Sequence, residues 1–375
     1  MVGLSYFLLP FAREIWSFMI LIIGIGLGYG MIKPSTLGVV SKNLNYKNEA
    51  FGWGLYILLL NIAVFTVTPL ASFLKNISWT ALFWGASGIM FLQLFSILFI
   101  KNIPSKEKSS TIIIQAKELF SGLFQPKILI FILLISGFTM IYMQFYETLP
   151  HFILDWIKTG EIALMLGLPK SMMMETDLGS MISYQYLYMI NPLLTTIFIL
   201  IISHYFRKKD KINVLAIGMI LVSIGWMITG MSSNGAFLLI GMVVYSFGEM
   251  TTNPKLTEYM SSLSPNGKKS TFMGYLSLAY LIGYSIGALF GGYMYQKYGE
   301  KAGLAADYLA DKFAMVGIDK TQSFGILMEQ TGLNSTQVTV LLWDYYSPWL
   351  AWLPFFVIGI FCSIGLIWYK NKIKL

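Results

Sequence analysis

Residues 128–149 read ILIFILLISGFTMIYMQFYETL, with no charge between Lys127 and Glu147. At a rise of 1.5 Å per residue, an uncharged run of this kind covers about 30 Å, the thickness of a bilayer's hydrocarbon core. Lipid offers no partner to a bare peptide group, so such a run crosses only as a helix or within a closed barrel. The stretch lacks the strict alternation that barrel strands carry, which leaves the helix.

Eight more runs share these features. Together the expected spans are 17–33, 52–74, 78–100, 128–149, 185–206, 212–231, 235–253, 271–296 and 348–369. The fold class is therefore all-α, a polytopic membrane helical bundle of about nine spans. Composition agrees: 56% of the 375 residues are hydrophobic and 12% charged, with mean hydropathy +0.66. Soluble domains run nearer a quarter charged. The formal charge of +8 comes from lysines that punctuate apolar runs and build no basic face, which argues against nucleic acid and for membrane lipid as the partner. Cys362 is the only cysteine, so neither a disulfide nor a cysteine metal site is available, and no cofactor is expected.

Basic residues are retained on the cytoplasmic side during insertion. With Lys374 placed inside, eighteen Lys and Arg residues fall on that side and eight on the other, an arrangement that puts the C-terminus inside and the N-terminus outside the cytoplasmic membrane. Residues 1–12 are apolar, too short to cross and without the basic start of a signal peptide, so they read as the tail of a preceding helix. The segment 101–127, rich in Lys and Ser, divides the chain into an N-terminal bundle at 1–100 and a six-helix bundle at 128–375. Within it, Ile112–Phe124 has the spacing of an interfacial amphipathic helix, and Pro126 stands where a helix would begin. Two long outer loops, 150–184 and 297–347, are acidic; the second alternates Asp307, Asp311, Asp319, Glu329 and Asp344 with apolar residues at helical spacing, as short amphipathic helices would.

Three stretches carry a resemblance. The first is Gly248-Glu249-Met250-Thr251-Thr252-Asn253-Pro254-Lys255, followed by Ser264-Pro265-Asn266-Gly267-Lys268-Lys269 and by Met273-Gly274-Tyr275. The second is the glycine-rich run from Gly26 to Ser35, and the third runs from Trp53 to Pro69 with Asn61 at its centre. In order and spacing these resemble the tenth-to-eleventh, fourth and fifth helices of major facilitator superfamily transporters, near the proton-coupled oligopeptide branch. The resemblance implies a chain running from the family's fourth helix to its twelfth, without counterparts of the first three. It departs from peptide carriers in having no lysine within residues 17–32.

Ionisable groups inside a span cost roughly 2.5–3.5 kcal/mol at the helix centre on insertion scales, so each one needs a reason. Glu249 lies 14 residues into its span, about 21 Å along the axis. By resemblance it would contact solute or share a proton; an internal hydrogen bond that fixes packing is the other reading. Gln144, Tyr146 and Glu147 come from one segment near an outer span end, and Gln144 and Glu147, three apart, share a helix face that could line a cavity. Tyr245, one turn from Glu249, could hydrogen-bond solute or pack the bundle. Asn61 is an amide in an apolar run and calls for an interhelical partner. The row Gly283, Gly287, Gly291 and Gly292 has close-packing spacing. Most Trp residues, including Trp79, Trp156 and Trp368, sit near span ends as interfacial anchors.

These features favour a secondary transporter, not an enzyme, moving a small-molecule solute by alternating access with protons as the energy source. The P-loop pattern of ATP-driven pumps does not occur in the sequence. A truncated, non-transporting membrane remnant or binding partner is the alternative reading. An intramembrane enzyme would need a nucleophile and base on facing helices, which two dispersed histidines do not supply.

Overall fold

A computed structural model describes residues 1–44, 48–99, 117, 120–265 and 268–372. The helices in chain order are α1 (Val2–Leu8), α2 (Ile15–Asn43), α3 (Glu49–Ile77), α4 (Trp79–Ser96), α5 (Pro126–Met143), α6 (Leu149–Trp156), α7 (Gly160–Met165), α8 (Tyr184–Tyr188), α9 (Ile190–Tyr205), α10 (Lys211–Gly230), α11 (Gly235–Leu263), α12 (Lys269–Tyr298), α13 (Lys301–Phe313), α14 (Lys320–Thr331), α15 (Ser335–Tyr346) and α16 (Leu353–Lys372). One hairpin, β1 (Met173–Thr176) and β2 (Gly179–Ile182), lies between α7 and α8. Among the described residues, eight helical stretches are long and apolar enough to cross a membrane. The fold is an all-α helical membrane bundle.

The span expected at 78–100 is a helix only from Trp79 to Ser96, tightening into a 3-10 turn at Ile97–Phe99. Other spans overrun their expected ends. α2 continues from 33 to Asn43 through Pro34, and α11 from 253 to Leu263 through Pro254. Proline removes one intrahelical bond, a loss that a long helix within a bundle tolerates, and next to Pro34 the Ser35 Oγ donates back to Met31 O at 2.8 Å. The linker at 101–127 and its amphipathic helix at Ile112–Phe124 lie mostly outside the described residues; residues 120–123 are helical and α5 starts on Pro126. The loop at 150–184 holds a β-hairpin where the sequence shows no strand pattern: Thr176 pairs with Gly179, and Gly179 at φ +92° takes the left-handed backbone that the tight turn at Asp177-Leu178 demands.

The chain divides into two compact units. The first comprises Met1–Gln125 with Thr257–Ser277, the second Pro126–Leu256 with Leu278–Leu375. In the first, α1 packs on α4 and α2. Ser87 Oγ donates to Gly3 O at 2.7 Å, and Gly28 leaves room for Val2. Ser41 and Ser261 share a buried 2.6 Å hydrogen bond, and Lys269 Nζ donates to Ser41 O at 2.6 Å. Asn61 donates to Ile57 O at 2.9 Å, four residues back on its own helix, and among the described residues this local bond stands where the sequence suggested an interhelical partner.

The second unit holds the more buried helices. Without a hydrophobic drive between helices in lipid, close backbone approach and interhelical hydrogen bonds hold such a bundle. α10 and α11 meet through glycines seven residues apart on each helix. A Cβ on Gly225 would come within 2.6 Å of Tyr245 N and 2.8 Å of Gly241 O, and one on Gly248 within 2.6 Å of Val222 N and 2.7 Å of Gly218 O. Here no side chain fits between the backbones. α12 meets α5 in the same way: Gly283 faces Thr139 and the Ser136 carbonyl, Gly287 faces Met140 O, and Gly291 faces the Gln144 amide. Gly292 has nothing within 4 Å, so the close-packed row is three glycines and not four. α16 closes against α10, with Ser363 Oγ donating to Ala216 O at 3.0 Å. Asp210 caps α10 by accepting from Asn213 N at 2.9 Å, a contribution of about 1 kcal/mol.

The loop at 297–347 forms α13, α14 and α15, as its periodicity implied. α15 opens on a capping box between Asn334 and Gln337. Tyr295 donates to Asp155, whose carboxylate also accepts from Lys301 N, and the buried Lys301 Nζ lies 3.8 Å from Asp177 on the hairpin turn. Trp156, expected at the interface, is instead fully buried and donates to Gly299 O at 2.7 Å.

A buried carboxylate clasped by amides and phenols

Glu249 stands on a polar stripe of α11 formed by Ser246, Glu249 and Asn253, three and four residues apart and so on one face. On another face of the same helix, Gly241 and Gly248 are pressed against α10, which fixes the rotation that turns the stripe toward α9 and α12. Asn191, in the first turn of α9, donates from Nδ2 to Glu249 Oε2 at 2.6 Å and to Ser246 Oγ at 3.1 Å. Asn253 Nδ2 donates to Glu249 Oε1 at 3.1 Å, and Tyr280 OH reaches Asn253 Oδ1 at 3.5 Å, the outer limit of a hydrogen bond. Both carboxylate oxygens thus rest on neutral donors. Among the described residues Glu249 makes no ion pair.

Aromatic rings surround this group. The phenols of Tyr142, Tyr146, Tyr245 and Tyr284 all lie within electrostatic range of the carboxylate. Tyr142 stacks on Tyr284 with centroids 6.3 Å apart and planes 9° off parallel, and on Tyr245 at 6.3 Å and 26°. Behind them Tyr245 packs on Phe145 and Trp226, each at 5.1 Å, and Trp226 stacks on Trp352 at 5.0 Å. Tyr245 is 2% exposed, and its hydroxyl has no protein partner among the described residues. A buried hydroxyl without a partner costs free energy that a bound solute's polar group would recover.

The residues picked out by sequence separate here. Tyr245 and Tyr146 join Glu249, with the Tyr146 hydroxyl 3.4 Å from that of Tyr142. Gln144 and Glu147 do not share a cavity face. α5 ends at Met143, and the turn at 144–148, where Leu149 N bonds Gln144 O in a wide loop, rotates the two apart. Gln144 is buried, donating to Met140 O and to Gly287 O at 3.0 Å while accepting from Thr148, so it locks α5 to α12. Glu147 is exposed. Asn61 lies in the first unit with its amide used locally. Asn191, Tyr142, Tyr280 and Tyr284 were not singled out by sequence. Their one legible signal is an amide or phenol recurring inside uncharged runs, which packing residues also produce.

A carboxylate within an apolar span, clasped by amides and faced by phenols, marks a candidate intramembrane site. Across residues 1–288 the sequence matches the family profile described as Major Facilitator Superfamily. The chain belongs to that superfamily. Over 301 residues it is 22% identical to a protein of Bacillus subtilis (strain 168) named as the uncharacterized MFS-type transporter YttB, a match covering 78% of this chain and 69% of that protein. As a Major Facilitator Superfamily member it is an integral membrane transporter, and the Glu249 cluster is the candidate place where its cargo or a coupling ion meets the protein.

Proposed function

We propose that this chain is a secondary active transporter that moves a small solute across the cytoplasmic membrane by alternating access, drawing on the proton gradient through Glu249. The observation that carries the reading is the pair of amides, Asn191 and Asn253, donating to both oxygens of a carboxylate that has no cationic partner among the described residues. Such a carboxylate binds one positive charge at a time, either a proton or a cargo charge, and so can tie the two movements together. The phenols around it supply hydroxyls for solute, above all the unpartnered hydroxyl of Tyr245.

The coupling is tested in vesicles reconstituted with the full chain and loaded with a pH-sensitive dye. Adding transported solute shifts internal pH, and a protonophore abolishes solute accumulation. Accumulation that is indifferent to the protonophore would remove proton coupling.

The proposed sidedness follows the lysine distribution, with 207–211 and the C-terminus cytoplasmic. Because Cys362 is the only cysteine and is buried, a Cys362→Ser chain is a clean background for labelling. A cysteine at Lys208 should react with an impermeant maleimide only after cells are opened, and one at Ser233 in intact cells. The reverse pattern would invert the topology.

A further inference from the structure

Four features of the Glu249 cluster point beyond a proton site to the chemistry of its cargo. First, Glu249 is part-buried as a whole residue. Second, its hydrogen-bond partners are neutral, and no Lys or Arg is paired with it; Lys255, six residues on and about 9 Å along the axis, makes contacts of its own. A site with one negative charge and, among the described residues, no positive one paired with it repels anions and offers its ionic attraction only to cations. Third, aromatic residues cluster beside it: the phenols of Tyr142, Tyr245 and Tyr284 lie within electrostatic range of Glu249, and Phe145 and Trp226 pack on Tyr245. Ring faces carry negative quadrupole charge and attract cations, most strongly when water is excluded. Fourth, the buried hydroxyl of Tyr245 and the buried indole N–H of Trp226 lack protein partners among the described residues, leaving donors for a polar group on the cargo.

Resting on the transport reading above, we infer that this cluster selects an organic cation, an ammonium or larger onium group on an aromatic or apolar body, with Glu249 as counter-charge and Tyr142, Tyr245 and Tyr284 as the ring walls. A small hydrated metal ion does not fit this lining, because both carboxylate oxygens already accept from amide N–H donors and, among the described residues, no group of acidic, histidine or cysteine ligands gathers around them.

The probe is tetraphenylphosphonium, measured by equilibrium dialysis against the purified full chain, with tetraphenylborate as a partner of the same shape and opposite charge. Saturable binding of the cation and none of the anion is expected. Glu249→Gln should weaken cation binding about tenfold or more. Tyr142→Leu should weaken it several-fold. Equal binding of cation and anion, or a Glu249→Gln chain that binds the cation as well as the parent, would overturn the assignment. Neither comparison of the two probes on the native chain requires a variant to fold. A chain that couples solute to protons in vesicles but ignores tetraphenylphosphonium would refute the cation class and leave proton-coupled transport standing.

Discussion

A Glu249→Gln chain is expected to reach the membrane in normal amount and to lose gradient-driven accumulation almost completely. Glutamine matches glutamate in shape and can still accept from one of Asn191 and Asn253, but its NH2 must face the other donor. That mismatch costs about 1–3 kcal/mol for a buried polar group, tolerable in a bundle packed as closely as this one. What disappears is the titratable oxygen. One pH unit across the membrane is worth about 1.4 kcal/mol per coupled proton, so a two-unit gradient supports about a hundredfold accumulation through a single carboxylate. Without the carboxylate, accumulation should fall by that same factor, to the equilibrium level, while solute exchange with no gradient continues once solute is raised above its weakened affinity. Measured side by side in vesicles, accumulation and exchange separate coupling from binding. If the glutamine chain concentrates solute as the parent does, protons do not travel by way of Glu249.

The second large effect concerns a position with no chemistry of its own. Gly225→Val should cost about 3 kcal/mol or more and leave little folded protein in detergent, since its Cβ would enter the space of Tyr245 N and Gly241 O, both backbone atoms that cannot rotate away. α10 and α11 would have to part, and the stripe carrying Ser246, Glu249 and Asn253 would turn with α11. Gly292→Ala is the matching control, because that site has open space and alanine is the better helix former by up to about 1 kcal/mol. Thermal unfolding followed by size-exclusion chromatography reads both variants. A valine chain as stable as the control would mean that the α10–α11 contact is looser than these distances require.

The membrane fold was open to reading because its cause is local. Each span's apolarity is a property of consecutive residues, so the run from Ile128 onward announces a helix wherever its neighbours lie. The same locality explains the amphipathic helices at 301–346 and the start of α5 at Pro126. Glu249 could be found because a charge within an apolar run is conspicuous. The hairpin at 173–182 could not, since MMET and GSMI carry no alternation that marks a strand. The break after Met143 was hidden too: Gln144 continues the helical spacing in sequence, but its amide is drawn to Gly287, 143 residues away, and the turn follows.

Hydrophobic length, lysine placement and the acid at Glu249 within its apolar run were thus determined by the sequence alone, because lipid judges each segment by its own composition. Which residues clasp that acid was decided by tertiary structure. Asn253 is four residues from Glu249 on the same helix, but Asn191 is 58 positions from it and Tyr142 lies farther still, and the glycine contacts that set the rotation and depth of α11 bring these two to its carboxylate. Side chains on different helices meet according to how closely the backbones approach, and that distance is a property of pairs of helices which no single segment contains.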